Sequence, residues 1–278
     1  MDERLTLGPG WVQAIKPALT RLRTAAWRAR GRPRRAGLRV LFYHRVSDDP
    51  DPLAIAPRRF ADQMDLLAAE GYRVVDVVEA ARLLTSGEAL DGVVALSFDD
   101  GYRDVAEHAL PVLEQRRFRA TVFVATGVVG GTATFSWYAR QPPVLGWDDI
   151  VALDGAVLSF EAHTITHPNL TALAADAAEQ EIAESKRALE SRLGRPVTGF
   201  CYPAGLYGAR ERELVARAGF AVATTCEPGA NTAASDLLAL RRTAIDGGDR
   251  LADFRAKLEG GHDRPSALRA AYRRARFR

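Results

Sequence analysis

Residues 93–101 read VVALSFDDG, an apolar run that ends in two adjacent carboxylates and a glycine. An apolar run of this length is typical of a strand buried on both faces of a parallel sheet. Comparable runs cover residues 38–43, 120–125, 156–160, 197–202 and 220–225, and segments of helical periodicity separate them. Strands alternating with helices predict an α/β fold, and about seven such units favour a closed or nearly closed (β/α) barrel over an open sheet.

Between the strands, two segments carry features that bear on the fold. The pattern predicts a helix over residues 102–116 with a kink at Pro111, because proline removes a backbone hydrogen bond inside a helix. Residues 126–146 are rich in Gly, Pro, Thr and aromatic side chains and predict a long loop flanked by Trp137, Tyr138 and Trp147. Long loops in compact domains are often functional.

Polar residues follow four of the predicted strands at the point where each strand ends. They are Asp99 and Asp100, His163 and His167, the turn over residues 202–205, and His44. In a (β/α) barrel, catalytic residues lie at the carboxyl ends of the strands. Two histidines four residues apart, with a carboxylate from another strand, make a three-ligand metal site that leaves positions open for water and substrate. The adjacent carboxylate can then accept a proton.

Each of these motifs has a plainer interpretation when it stands alone. Asp-Asp-Gly is a common turn, His-x-x-x-His is often a pair of surface residues, and Pro-Ala-Gly is typical of loops. Their occurrence in this order, each directly after a predicted strand, favours a site over three unrelated turns.

Three of these segments resemble the motifs of the polysaccharide deacetylases, the NodB-homology or carbohydrate esterase family 4 proteins. They are SFDDG at residues 97–101, HTITHPNL at 163–170 and FCYPAG at 200–205. LFYHRV at residues 41–46 is similar to the first strand of one branch of that superfamily. The resemblance covers about residues 38–260. It implies a deformed (β/α) barrel of NodB type and a divalent metal, most often zinc, with cobalt, manganese or nickel as alternatives.

The resemblance also implies roles for residues of this chain. Asp100, His163 and His167 would be the metal ligands, Asp99 the general base, and the backbone N–H of Ala204 the oxyanion donor.

The sequence departs from the family pattern in three places, one of which is Glu161-Ala162 before His163, where the family usually has Gly-Ser or Gly-Asn. Cys201 stands where the third motif often carries an arginine that pairs with the base, and the late Leu-x-His motif that supplies the acid is absent. His44 is the candidate acid by its position at the end of the first strand, whereas His262 is predicted to lie on the surface. Arg241 and Asp246 are candidates for contact with the base, and His108 is predicted to have no catalytic role.

The implied activity is hydrolysis of N-acetyl groups, less often O-acetyl groups, on a bacterial glycan or glycan precursor, with release of acetate. Two alternatives stay open: an amidohydrolase that acts on a small non-glycan amide, and a non-catalytic barrel that binds glycan or serves as a scaffold. The intact ligand and base positions favour an enzyme.

Charge is distributed unevenly and suggests three segments. Residues 1–37 form a basic N-terminal segment, residues 38–262 the barrel, and residues 263–278 a basic C-terminal tail. An acidic body between basic ends argues against a nucleic-acid-binding protein. Trp11, Ile15, Ala18, Leu19, Leu22 and Ala26 fall on one face of a helix with arginines between them, which suggests peripheral contact with an anionic membrane, although Pro17 is expected to interrupt that helix.

No signal peptide and no apolar run long enough to span a membrane are evident in the sequence. We therefore expect a cytoplasmic protein that works at most at the inner face of the membrane, on an N-acetylated saccharide such as a nucleotide- or lipid-linked sugar.

Overall fold

Parallel strands curl into a nearly closed barrel in the computed structural model, which describes residues 10–31 and 37–263. The strands of this part of the chain are β1 (Arg39–Tyr43), β2 (Arg45–Val46), β3 (Ala54–Ile55), β4 (Arg73–Val75), β5 (Val93–Phe98), β6 (Ala120–Val124), β7 (Leu158–Ala162), β8 (Gly199–Cys201), β9 (Val222–Thr224) and β10 (Arg242–Ala244). The helices are α1 (Gly10–Ala29), α2 (Pro57–Ala69), α3 (Val77–Ser86), α4 (Leu110–Arg116), α5 (Trp147–Leu153), α6 (Ala175–Leu193), α7 (Ala209–Arg217) and α8 (Leu251–Leu258).

The order of the barrel strands is β10-β1-β5-β6-β7-β8-β9, and every pairing in this series is parallel. β4 pairs with the first half of β5, and β6 pairs with the second half. β4 and β6 therefore share the same edge of β5. In the described ranges no ladder joins β9 to β10; an isolated bridge links Thr224 of β9 to Leu240, which precedes β10. The predicted fold class, a deformed (β/α) barrel of about seven units, is therefore confirmed.

Apolar side chains fill the space inside the barrel and the layer between barrel and helices. Inside, Val40, Ala95 and Phe123 pack with the buried face of α3. Outside, one cluster lies against α2, α4 and α8, and another lies between β7–β9 and helices α6 and α7. Because alternate residues of each strand point inward, this packing fixes which polar side chains reach the barrel interior.

Two helices differ from their predicted form. The segment around Pro111 is helical but not α-helical throughout: a π-helical turn over Val105–Ala109 runs directly into α4, and Pro111 is the second residue of α4. The missing N–H of Pro111 thus falls directly after the π-helical turn, inside a continuous helix. α1 continues through Pro17 without interruption. The Pro17 ring lies against Gly248 of the loop after β10, so contact with the barrel accompanies the loss of one helix hydrogen bond.

Candidate active site

The turn after β5 separates the two adjacent aspartates of the first motif. Asp99 and Asp100 are both buried, and Asp100 has a left-handed backbone with φ of 75°. Gly101 follows with φ of 77°, a conformation that favours glycine. The chain therefore turns sharply at Asp100 and Gly101, and this turn points the two carboxylates in different directions.

The turn after β7 brings both histidines of the second motif to Asp100. The Nε2 atoms of His163 and His167 each lie 3.6 Å from Oδ1 of Asp100. His163 Nδ1 lies 2.7 Å from the carbonyl oxygen of Cys201 at the end of β8. An Nδ1–H that donates to this carbonyl leaves Nε2 unprotonated and available as a ligand.

The electrostatics of these three side chains suit a cation between them. Burial lowers the pKa of His163 to about 4, and burial with the neighbouring His163 lowers that of His167, so both imidazoles are neutral. Burial and the charge of Asp99 raise the pKa of Asp100. Oδ1 of Asp100 is buried without a hydrogen-bond partner among the described residues. A buried carboxylate oxygen facing two neutral imidazoles fits a divalent metal, and zinc accepts this set of donors.

Arg242 of β10 holds Asp99 as a carboxylate. Its Nη1 and Nη2 donate to Oδ1 and Oδ2 of Asp99 at 2.7 and 2.8 Å, and the guanidinium is fully buried. Burial alone would raise the pKa of Asp99, but the charge and hydrogen bonds of Arg242 lower it to about 2. The candidate base therefore has an arginine partner, although Cys201 stands where the third motif of the family often carries an arginine. Arg242 Nη2 also lies 2.9 Å from the Cys201 sulfur.

Asp99, His163 and Cys201 form a second group with metal-ligand spacing. Two features argue against this group as the metal site. The positively charged guanidinium of Arg242 lies directly beside both Asp99 and Cys201, where it would repel a cation. Burial also raises the pKa of the Cys201 thiol, and a thiol binds metal only when it is deprotonated. Asp100, His163 and His167 are the better candidates.

Removing Arg242 should destabilise the folded protein. We expect Arg242→Met to lower the free energy of unfolding at pH 7 by about 3–5 kcal/mol, because Asp99 would remain as an uncompensated buried charge. In the wild type, the depressed pKa of Asp99 contributes stability above its unfolded pKa, and this contribution is lost as pH falls towards 2. In Arg242→Met the pKa of Asp99 should rise, so the deficit should shrink as pH falls.

Urea denaturation of metal-free protein measures this effect. Adding Asp99→Asn to Arg242→Met should restore most of the stability, whereas Arg241→Met, at the exposed neighbouring position, should change it by less than about 0.5 kcal/mol. Equal effects at positions 241 and 242 would contradict the assignment.

His44 lies at the end of β1, next to the same charges. Burial lowers its pKa, the charge of Asp99 opposes that shift, and the charges of Arg242 and Lys16 reinforce it. The structure therefore places His44 within electrostatic range of the candidate base. Of the other candidates, Arg241 points away from the barrel, and its neighbour Arg242 makes the contact with Asp99.

Asp246 and His262 also occupy positions that differ from their predicted ones. Asp246 accepts a hydrogen bond from Lys16 at 2.5 Å and another from Lys257 at 3.3 Å. The prediction that His262 lies on the surface is wrong: it is buried beside α1, where its Nε2 lies 3.3 Å from the Thr24 hydroxyl.

The turn after β8 carries the candidate oxyanion donor. Ala204 lies in a 3₁₀ turn over Pro203–Gly205 and has a φ of 52°. Gly205 also has a left-handed backbone, and a Cβ there would lie 2.4 Å from the backbone nitrogen of Cys226. A left-handed backbone at a non-glycine residue is uncommon. Of the five such residues in the described chain, Asp100, Thr164, His167 and Ala204 lie in the three motifs, as strain at functional sites predicts.

Aromatic side chains of the loop after β6 pack against one metal-ligand candidate. The rings of Trp137 and Phe135 lie 4.9 and 5.8 Å from the His167 ring, measured between centroids. Trp137 Nε1 and the Tyr102 hydroxyl are buried without hydrogen-bond partners among the described residues. Trp147 instead packs under Arg192, away from the cluster. Sequence patterns did not single out Phe135 or Tyr102, although Phe135 lies in the predicted aromatic-rich loop and Tyr102 directly follows the first motif.

The fold and this cluster together define a (β/α)-barrel protein with a candidate metal site at the carboxyl ends of its strands. The sequence model of the polysaccharide deacetylase family matches residues 86–223. YxkH of Bacillus subtilis, which is named as a polysaccharide deacetylase, is 28% identical over 237 residues, 85% of this chain and 80% of YxkH. In sequence, the chain is therefore similar to the polysaccharide deacetylases over most of its length.

Two solved structures are similar over most of the chain. Deacetylase PplD of Streptococcus pyogenes, in complex with acetate, is 26% identical with a TM-score of 0.71, covering 82% of this chain and 99% of PplD. IcaB of Ammonifex degensii is 26% identical with a TM-score of 0.70, covering 81% of this chain and 98% of IcaB.

Proposed function

We propose that this protein is a metal-dependent deacetylase that hydrolyses N-acetyl groups on a glycan or glycan precursor and releases acetate. The observation that carries this proposal is the convergence of Asp100, His163 and His167 on one buried point beside Asp99. These three residues would hold the cation. When bound, a divalent cation supplies Lewis acidity for an acyl carbonyl and for a water molecule.

The remaining roles fall to other residues of the site. Asp99, kept ionised by Arg242, accepts a proton from the water that attacks the acetyl carbon. The backbone N–H of Ala204 donates to the oxygen on which negative charge develops. Because a carboxylic acid of low pKa gives up its proton readily, Asp99 does not retain it. His44, which its lowered pKa leaves neutral in the resting site, would take up this proton and donate it to the leaving amine.

The substrate class rests on the family and on the aromatic loop. Trp137 presents an aromatic surface beside His167, and aromatic rings are suited to contact with the apolar face of a sugar. PplD was solved with acetate, which is the acid that the proposed reaction releases. The cytoplasmic location inferred from the sequence stays a prediction, as do zinc as the native metal and the division of the chain into three segments.

The proposal is tested by measuring acetate release before chelation, after chelation and after metal is returned. We expect the wild type to release acetate from N-acetylglucosamine oligomers or from a lipid-linked acetamido sugar, to lose this activity on chelation, and to regain it with zinc or cobalt. His163→Ala should bind less metal and should not regain activity, because two protein ligands remain. His108→Ala, a change at an exposed residue of the π-helical turn, should behave as the wild type does.

The other outcomes separate the rival functions. Tight metal binding without acetate release from any acetylated sugar would contradict the substrate and favour a small cyclic amide. Absence of both metal binding and acetate release would contradict the enzyme and favour a glycan-binding or scaffold barrel.

A further inference from the structure

α1 packs on the barrel through a face that is largely polar. Thr20, Thr24 and Trp27 are buried, and their spacing of four and three residues places them on one side of the helix. Trp27 lies so close to Gly261 that a Cβ added at position 261 would come within 2.7 Å of the indole ring. This face of α1 contacts α8 and the chain that follows it.

The opposite face of α1 is apolar and exposed. Ile15, Leu19 and Leu22 are 38%, 43% and 67% exposed, and they account for half of the exposed large hydrophobic side chains in the described ranges. The spacing of four and three residues again defines one side of the helix. Because successive helical residues advance about 100°, this side is opposite Thr24. Exposed Ala18 and Ala26 extend it, whereas Trp11 lies outside the residues whose side chains are described.

Arginines border this apolar face on both sides. By the same helical geometry, Arg23 and exposed Arg30 lie along one border and exposed Arg21 along the other, while exposed Arg28 lies further round the helix on the side of Arg21. An apolar stripe between two rows of basic residues is the pattern of a helix that lies in a membrane interface. The exposed apolar stripe of Ile15, Ala18, Leu19, Leu22 and Ala26, with its bordering arginines, is called the α1 stripe below.

The sequence that adjoins the described ranges is also rich in arginine. The described chain ends at Asp263, whose carboxylate accepts two hydrogen bonds from Arg39 at 2.6 and 2.9 Å. The preceding residue, His262, contacts Thr24 of α1. Residues 264–278 continue from that point and contain six arginines and no acidic residue. Residues 32–36, which connect α1 to the barrel, contain three more arginines.

We propose that the α1 stripe docks on the surface of an anionic phospholipid bilayer. Lipid headgroups complement the arginines, and the acyl boundary accepts Ile15, Leu19 and Leu22. A second copy of the chain fits less well, because pairing two such stripes would bring their arginine rows together. In the described ranges no helix combines the length and apolar character needed to cross a bilayer.

The direction of α1 determines where the candidate active site would lie relative to the lipid. Lys16, near the start of the helix, contacts Asp246 beyond the carboxyl end of β10. Trp27, near the end of α1, contacts Gly261. Gly261 lies close in sequence to Asp263, the hydrogen-bond partner of Arg39 at the start of β1. α1 therefore runs along the side of the barrel, with its first turns at the catalytic end. Docking of α1 would lay this side of the barrel against the membrane, with the rim of the site next to the lipid surface. The proposal does not depend on the reaction catalysed.

Sedimentation with vesicles tests the proposal without any substrate. We expect the full chain to bind vesicles of mixed phosphatidylglycerol and phosphatidylcholine, to bind phosphatidylcholine vesicles weakly, and to be released by high salt. Leu22→Glu should lower the partition coefficient about tenfold, since it places a charge at the centre of the apolar stripe. Val151→Glu is the matched control: Val151 is 49% exposed on α5, and its change should leave binding as in the wild type.

Three results would overturn the proposal. The first is no binding of the wild type to anionic vesicles, and the second is equal binding by the variants at positions 22 and 151. The third is a dimer, detected by sedimentation velocity and lost in Leu22→Glu, that binds no vesicles; it would assign the stripe to a second copy of the chain. Circular dichroism confirms that each variant is folded.

Discussion

Asp99→Asn is expected to lower kcat for acetate release by about 10²–10⁴-fold, because an amide cannot accept the proton of the attacking water. The change preserves the size of the side chain, and its amide oxygen still accepts a hydrogen bond from Arg242. Asp100, His163 and His167 are unchanged, so the metal content should equal that of the wild type. Parallel assays of metal content and kcat distinguish loss of the base from loss of the metal.

A matched variant controls for the removal of a buried, arginine-paired carboxylate. Asp263 forms a similar two-point pair with Arg39 at the other end of β1, away from the cluster. Asp263→Asn should reduce stability but leave kcat within about threefold of the wild type. If Asp99→Asn keeps its metal and loses less than tenfold in kcat, Asp99 is not the base.

Much of the architecture follows from local patterns in the sequence. The strand beginning at Val93 is apolar on both faces, and the helix from Pro57 begins where proline fixes a helical backbone angle. Since parallel strands bring their carboxyl ends to one rim, the motifs at residues 99–101 and 163–167 were predicted to meet. The structure brings Asp100 and both histidines together at that rim.

The partner of Asp99 could not be predicted in the same way. Two adjacent arginines precede Thr243, and only the alternation of β10 decides that Arg242 points into the barrel while Arg241 points out. A shift of one residue in that short strand would exchange them. The contact joins residues 143 positions apart, so spacing along the chain carries no signal for it. The absence of an arginine at Cys201 was the one indication that another strand supplies it.

α1 shows a different limit of prediction from periodicity. The apolar residues were identified as one face of a helix, which would ordinarily be the face that packs on the core. In the structure that face is exposed, and the polar face with Thr20 and Thr24 is buried. Periodicity shows that a helix has an apolar face. It does not show what that face contacts, because this depends on how the rest of the fold positions the helix.

His44→Gln should impair the release of a poor leaving group much more than that of a good one. The leaving amine of an acetamido sugar must be protonated, and loss of a positioned acid costs about 10²–10⁴-fold in rate. The leaving group of 4-nitrophenyl acetate departs without a proton, so kcat for this ester should fall less than about tenfold. The ratio of the two losses is the measurement, because damage to the metal site or to the fold would lower both rates together.

His44 lies near Asp99 but outside the candidate metal-ligand groups, so its substitution should show the leaving-group effect without loss of metal. Its imidazole is coupled electrostatically to Asp99 and Arg242, yet it belongs to neither group with metal-ligand spacing. Its substitution should therefore leave the metal content unchanged, in contrast to His163→Ala. His108→Gln, the same substitution at an exposed histidine, should affect neither substrate. Equal losses on the amide and the ester would show that His44 supports the site without donating a proton, and the acid would then have to come from another residue near Asp99.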